Sequence, residues 1–340
     1  MGVLKPSIDL FGSMAVRLGF CTEENVEECL QVQRDLKERG QLRPIGELLL
    51  DRRHLTASQQ KHICRALGIY TGPIPGFQVV RKLGQGGMGC VYLAKDGSGR
   101  LVAVKLISTL ATESGTYGQR LMQEAEQAAL IRHPGLVSPI RAESTEDAYY
   151  LIMEYFESRN TREVVAQDGP MASPAALAIA RQVAAGLVAV GKHGIVHGDV
   201  KPENVLLNAT GTAKLCDFGV SRRLDSRDPT RRRFGGTPAF AAPEALLGEE
   251  ADLRADQYSL GATIFFWVTG RRAFEPPPSL SKGSSTRFFL AQVHQDGPDP
   301  RPFAPALDDR FAAVILRMLK RDRRERYASP EAVEQALAAL

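Results

Sequence analysis

The sequence predicts an α+β chain in three parts: a small helical repeat domain (1–70), a linker (71–76) and a two-lobed domain (77–340). Three observations carry this reading. Residues 11–33 and 45–67 repeat one another at an offset of 34. The stretch "GIYTGPIPG" (68–76), rich in Pro and Gly, breaks the helical pattern, and from Phe77 short β-rich runs begin. After "SRN" (158–160) the chain turns mostly helical to its end. The small lobe (77–156) is expected to be an antiparallel sheet and the large lobe (157–340) helical, with a cleft between them.

In the repeat, Gly12 falls on Gly46, Met14-Ala15-Val16 on Leu48-Leu49-Leu50, Cys21 on Leu55 and Cys29 on Ile63. Thr22 and Thr56 occupy equivalent positions with Asn25 and Gln59 three residues on, so each is expected to cap a helix in capping-box fashion. Each unit reads as a short helix, a turn and a second helix. The period matches tetratricopeptide repeats in length, but the aromatic and Ala-x-x-x-Phe positions of that pattern are missing. The phrasing "IGELLLDRRHLT" followed by Gln resembles the helical repeats at the N-terminus of type II secretion ATPases, some of which bind a cyclic dinucleotide. The alternative is a docking or linker domain without a small ligand.

Composition narrows the class. A hydrophobic share of 44% and a charged share of 24% are those of a soluble globular protein. The net charge of +4 leaves room for acidic or phosphorylated ligands without pointing to nucleic acid. The N-terminus lacks a signal-peptide pattern, and Pro6 stands where a myristoylation signal wants Ser or Thr. The longest apolar run, "GATIFFWV" (261–268), is far shorter than the ~20 residues a bilayer requires and reads as a buried helix. Five cysteines without a CxxC pair suggest neither a disulfide framework nor a zinc site, so a reducing, cytoplasmic setting is expected.

The strand runs are "FQVVRKLG", "CVYLAKD" and "RLVAVKLI", then a helix at about 117–132, then strands near 136–143 and 148–154. Between the first two runs, "LGQGGMGCV" (83–91) puts Gly84, Gly86 and Gly89 at GxGxxG spacing. Glycine lets backbone N–H groups approach phosphate oxygens. A dinucleotide fold needs a helix directly afterwards, whereas Val91 onward continues as a strand, so Leu83, Gly84, Gln85, Gly86, Gly87, Met88, Gly89, Cys90 and Val91 read as a phosphate-covering hairpin. Lys105 on the next strand suits phosphate pairing but needs a carboxylate; Glu124 is the expected partner and Glu126 the rival. Outside a nucleotide site both would be solvated helix charges.

"HGDVKPENVLL" (197–207) and "KLCDFG" (214–219) follow. With these motifs in order, residues 77–340 are identified as resembling the eukaryotic-like (Hanks-type) Ser/Thr protein kinases of bacteria. The resemblance implies a bilobal kinase fold and ATP and Mg²⁺ as cofactors. Asp199 would accept the substrate hydroxyl proton, Lys201 would steady the transferred phosphoryl group, and Asn204 and Asp217 would hold Mg²⁺. Val91, Ala103 and Leu206 would enclose the adenine, beside the hinge residues Met153, Glu154 and Phe156. His197 and Phe218 would be packing residues. Lys201 and Thr237 mark Ser/Thr specificity; Asp256 would brace the catalytic loop; Glu244 would pair with an arginine, for which Arg326 is the candidate.

One departure stands out. The family's usual His-Arg-Asp is His-Gly-Asp here, so Gly198 lacks the arginine that commonly grips a phosphorylated activation loop. That argues against control through Ser226 or Thr230. The arginine-rich stretch 221–236 fits either acidic substrates and phosphate anchoring or a solvated loop. Cys90 is either a redox brake on the glycine loop or an inert thiol. The implied function is phosphorylation of protein Ser/Thr hydroxyls in signalling, with possible partners being a protein or small ligand at the repeat. The alternatives are a nucleotide-binding pseudokinase scaffold, or a sensor whose repeat is the main functional part.

Overall fold

Each repeat unit is organised by one threonine. Thr22 N–H donates to Asn25 Oδ1 at 3.1 Å while Asn25 N–H donates back to Thr22 Oγ1 at 3.3 Å. Thr56 and Gln59 make the same reciprocal pair at 2.8 and 3.2 Å. Both expected capping boxes are present, and they start the second helix of each unit. The units are α1 (Leu10–Arg17) with α2 (Glu23–Glu38), and α3 (Ile45–Asp51) with α4 (Ala57–Ala66). Equivalent positions are buried in both: Phe11 and Ile45, Ala15 and Leu49, Cys29 and Ile63, Leu30 and Cys64. Gly46 is tight because Phe11 lies on it; a Cβ there would stand 2.9 Å from the ring Cζ.

The computed structural model describes residues 10–38, 43–66, 74–86, 89–108, 131–145, 148–217, 222–223, 238–274 and 292–340. The chain divides into two units, Met1–Gln123 with Ile140–Tyr155, and Glu124–Pro139 with Phe156–Leu340.

In the first unit β1 (Gln78–Gly86), β2 (Gly89–Lys95), β3 (Leu101–Ser108), β4 (Pro139–Ser144) and β5 (Ala148–Glu154) form one sheet in the order β1-β2-β3-β5-β4. The register pairs Tyr92 with Val104 and Val104 with Ile152, and these alternate residues face a core that includes Val102, Leu106 and Tyr150. Ile74, inside the segment read as linker, is buried in that core. The strand expected near 136–143 begins only at Pro139. Its first residues are engaged in the second unit, where Val137 N–H donates to Leu215 O at 2.9 Å and Leu215 N–H to Gly135 O at 2.8 Å. The helix expected at about 117–132 lies outside the described residues up to 130, and the chain at 131–133 is irregular.

The second unit is built around α8 (Leu253–Thr269), with α5 (Thr161–Asp168), α6 (Ser173–Gly191), α7 (Pro243–Leu246), α9 (Asp309–Met318) and α10 (Pro330–Ala338). Asp252 caps α8 by accepting from Arg254 N–H at 2.8 Å, and Gly270 at φ +70° ends it in the left-handed conformation that glycine tolerates. Almost every residue between is buried, as expected for a helix apolar all round. Among the described residues, the helix long and apolar enough to cross a membrane is not the one carrying Gly261–Val268 but Ser173–Gly191. Half of its apolar window is buried in the helical core.

Glu244 and Arg326 meet as expected. The two N–H···O distances are 2.7 and 2.9 Å, both residues are buried, and Arg326 also donates to the carbonyls of Lys320, Arg254 and Arg321. A bidentate pair whose spare donors are all used can repay desolvation; a lone buried carboxylate cannot. Arg326→Met should therefore lower unfolding free energy by about 3–5 kcal/mol in denaturant titration. Adding Glu244→Gln should restore part of the loss.

Candidate active site

After the short strand β6 (Arg159–Asn160), β7 (Ile195–Val196) leads into the loop carrying His197, Gly198 and Asp199. One carboxylate holds that loop: Asp256, buried on α8, accepts from His197 N–H at 2.7 Å and Gly198 N–H at 2.8 Å. Burial pushes the Asp256 carboxyl above its ordinary range, while nearby His197 and the two backbone donors pull the other way. His197 is fully buried and bridges two segments. Its Nδ1 accepts from Asp199 N–H at 3.3 Å, and its Nε2 lies 3.2 Å from Cys216 O. A backbone N–H only donates and a carbonyl only accepts, so Nδ1 faces a donor and Nε2 faces an acceptor. His197 is a packing and positioning group, as the sequence suggested.

Gly198 sits at φ +78°. This backbone conformation is costly for any residue with a Cβ. The glycine is thus a conformational fit as well as the loss of a charge.

The next residues converge on the Asp199 side chain. Lys201 Nζ donates to Asp199 Oδ2 at 2.6 Å, and Asn204 Nδ2 donates to the same oxygen at 2.9 Å and to Asp199 O at 2.8 Å. Pro202–Asn204 form one 3₁₀ turn, and the hairpin β8 (Val205–Leu207) and β9 (Ala213–Leu215) follows. Cys216 N–H donates to Asn204 O at 2.8 Å and so places Asp217 next to the turn. Asp217 has φ +67°, an uncommon conformation for a residue with a side chain. Asn204 spends its amide N–H₂ on Asp199, so its Oδ1 is the atom that could ligate a metal. That oxygen and the Asp217 carboxylate are a hard-oxygen donor pair suited to Mg²⁺.

In the first unit, register puts Val91 opposite Lys105 and Ala103 opposite Met153, so all four share one face of the sheet. Gly84 pairs with Val91, Gln85 with Cys90 and Gly86 with Gly89, with Leu83 part-buried beside them. Glu154 ends β5 opposite Val102. In the second unit Leu206 is part-buried on β8, and Lys214 lies over the Phe156 ring at 5.3 Å. Gly87, Met88, Glu124, Phe218, Thr237, Ser226 and Thr230 lie outside the described residues.

Cys90 answers one open question. It pairs with Leu106 and is fully buried, on the sheet face away from Val91 and Lys105. The redox-brake reading fails, because a thiol without solvent access on the core side cannot meet an oxidant or crowd a ligand on the other face.

The sequence reading missed a second support. Trp267 Nε1 donates to Thr161 Oγ1 at 2.8 Å, and Thr161 Oγ1 donates to Pro202 O at 2.8 Å. A relay thus runs from α8 through α5 to the residue after Lys201. The available signal was the chain's single tryptophan, whose N–H needs an acceptor when buried.

The protein kinase domain family model matches residues 77–338. The chain belongs to the protein kinase family. The kinase domain is 36% identical over 268 residues to the serine/threonine-protein kinase Pkn1 of Myxococcus xanthus, covering 77% of this chain and 38% of that protein. It is 30% identical over 260 residues to the serine/threonine-protein kinase PrkC of Bacillus subtilis, covering 76% and 39%. With the serine/threonine-protein kinase PknD of Mycobacterium tuberculosis the identity is 34% over 272 residues, covering 77% and 39%. The match thus spans about two fifths of the length of these curated relatives.

The strain relief at position 198 of the kinase loop is measurable. Gly198→Ala should lower unfolding free energy by about 1–2 kcal/mol in chemical denaturation, since the new Cβ must adopt the left-handed conformation.

Proposed function

We propose that this chain is an active protein Ser/Thr kinase that transfers the γ-phosphoryl group of ATP to protein hydroxyls with Mg²⁺. The observation that carries the reading is the convergence of Lys201 and Asn204 on Asp199 Oδ2, with Asp217 on the adjoining strand end. Asp199 is placed to orient a hydroxyl and take its proton as the oxygen attacks. Lys201 carries positive charge beside that carboxylate, where negative charge builds on the transferred group. Mg²⁺, when bound, neutralises phosphate charge; Asn204 Oδ1 and the Asp217 carboxylate are the groups that would hold it. Lys105, Val91, Ala103 and Met153 present a cation and an apolar surface on one sheet face, matching phosphate and adenine. The presence of every one of these groups favours an enzyme over a pseudokinase scaffold.

Two finer readings belong with this one. Gly198 offers no guanidinium to a phosphorylated activation loop, which supports control that bypasses Ser226 and Thr230. The helical repeat, with its own core and two intact capping boxes, supports a regulatory or localising role in a cytoplasmic protein, through a partner or small ligand.

Labelled ATP, Mg²⁺ and a generic protein substrate test the main reading. Asp199→Asn should reduce transfer by about 10²–10⁴-fold with unchanged melting behaviour, and chelation of Mg²⁺ should abolish it. Transfer by wild type no greater than by Asp199→Asn would overturn the enzyme assignment. For the regulatory reading, the Ser226→Ala, Thr230→Ala double variant should keep its initial rate within about tenfold of wild type. A drop of ~100-fold or more would place the switch in that segment after all.

A further inference from the structure

Beside the catalytic loop, within the second unit, lies a cavity of ≈ 400 Å³. Its wall is largely apolar, with Val165 of α5, Pro202, Phe240 and Phe266 among its residues, and its two charged lining residues are both arginines, Arg162 and Arg272. Its position matters. Pro202 follows Lys201 directly and lies three residues from Asp199, and Phe240 lies three residues after Thr237. A peptide offering its hydroxyl to Asp199 has this cavity within reach of a neighbouring side chain.

The charges around it are unequal. Arg162 is ion-paired with Glu203, so those two cancel. Among the described residues Arg272 makes no hydrogen bond or ion pair, and it is only part-exposed. Nearby, Arg159 is paired with Asp168 at 2.6 Å, and Arg271 lies over the Phe303 ring at 5.1 Å. Glu163 stands on α5 with its backbone N–H bound to Asn160 Oδ1 at 2.9 Å. Glu203 Oε2 is buried, so the carboxylate is turned to Arg162 and away from an incoming side chain.

Resting on the kinase reading above, we propose that this cavity is a substrate side-chain pocket that selects phosphoacceptor peptides carrying an apolar residue together with an Asp or Glu close to the Ser or Thr. A carboxylate entering it meets Arg272 with no competing carboxylate among the described residues. A lysine or arginine entering it meets Arg272 as a like charge, and Glu203 next to Pro202 is already paired with Arg162. Apolar walls shield the pair from water and strengthen the discrimination. The sequence adds further positive charge on the same unit: residues 221–236 hold six arginines against two aspartates.

The test uses the full chain and fluorescent Ser peptides that differ only in having Glu, Ala or Lys within three residues of the Ser, on both sides, next to a Leu. Binding is read by anisotropy without nucleotide, so it does not depend on catalysis. The Glu peptide should bind at least about tenfold more tightly than the Lys peptide. Arg272→Glu should invert that order, and Arg272→Gln should bring the ratio close to one. Equal affinities in the wild type, no binding of the Glu peptide up to about 1 mM, or a ratio that survives Arg272→Glu in a variant with wild-type melting would each overturn the pocket. Phosphate transfer to the Ala peptide is measured in parallel. Glu-selective binding with no transfer to any peptide would sink the kinase reading and leave the pocket standing.

Discussion

The kinase domain of this protein depends on one buried carboxylate. Asp256 receives the N–H groups of both His197 and Gly198, and no other arrangement on the described chain fixes two consecutive backbone donors of the loop at once. A carboxylate without partners at that depth would be intolerable, so burial itself enforces the contact. From there order spreads outward. His197 links Asp199 N–H to Cys216 O, Cys216 N–H reaches Asn204 O, and Asn204 returns to Asp199. The result is a closed ring of hydrogen bonds in which Asp199 and Asn204 are positioned by the same helix.

That helix does more than carry Asp256. Trp267, three turns further along α8, supports Pro202 through Thr161, so the loop is held at both ends by one rigid element. Arg326 stacks over Tyr258 of the same helix at 5.0 Å while pairing with Glu244. The helix is capped at both ends and buried nearly all round, which gives it few ways to shift. Precision at Asp199 is therefore a property of the core and not of the loop alone.

The sheet and the repeat domain show how short-range rules yield specific placement. Period-two alternation on β2, β3 and β5 assigns Lys105 and Met153 to one face and Leu106 and Ile152 to the other, without any long-range information. The same rule assigns Cys90 to the core face, an inference that was open from its residue number but was obscured by its place in a glycine loop. In the repeat, identical spacing buries equivalent residues in both units, so the second unit supplies the surface that the first lacks.

Much of this protein was legible in the sequence: both capping boxes, the strands β1 to β3 and β5, the catalytic loop, and the Glu244–Arg326 and Asp256 contacts that the family resemblance suggested. Those features are short-range, or are carried by motifs whose residues stand close together. Tertiary structure decided the rest. The left-handed backbone at Gly198 and Asp217 is set by what the loop must reach, and the late start of β4 by Leu215 claiming the backbone of residues 135–137. The basic cavity is assembled from residues near 162, 202, 240 and 272. Local propensity governs which elements form, because it acts over a few residues. Which side chains meet is settled only when burial brings distant polar groups together and forces each to find a partner.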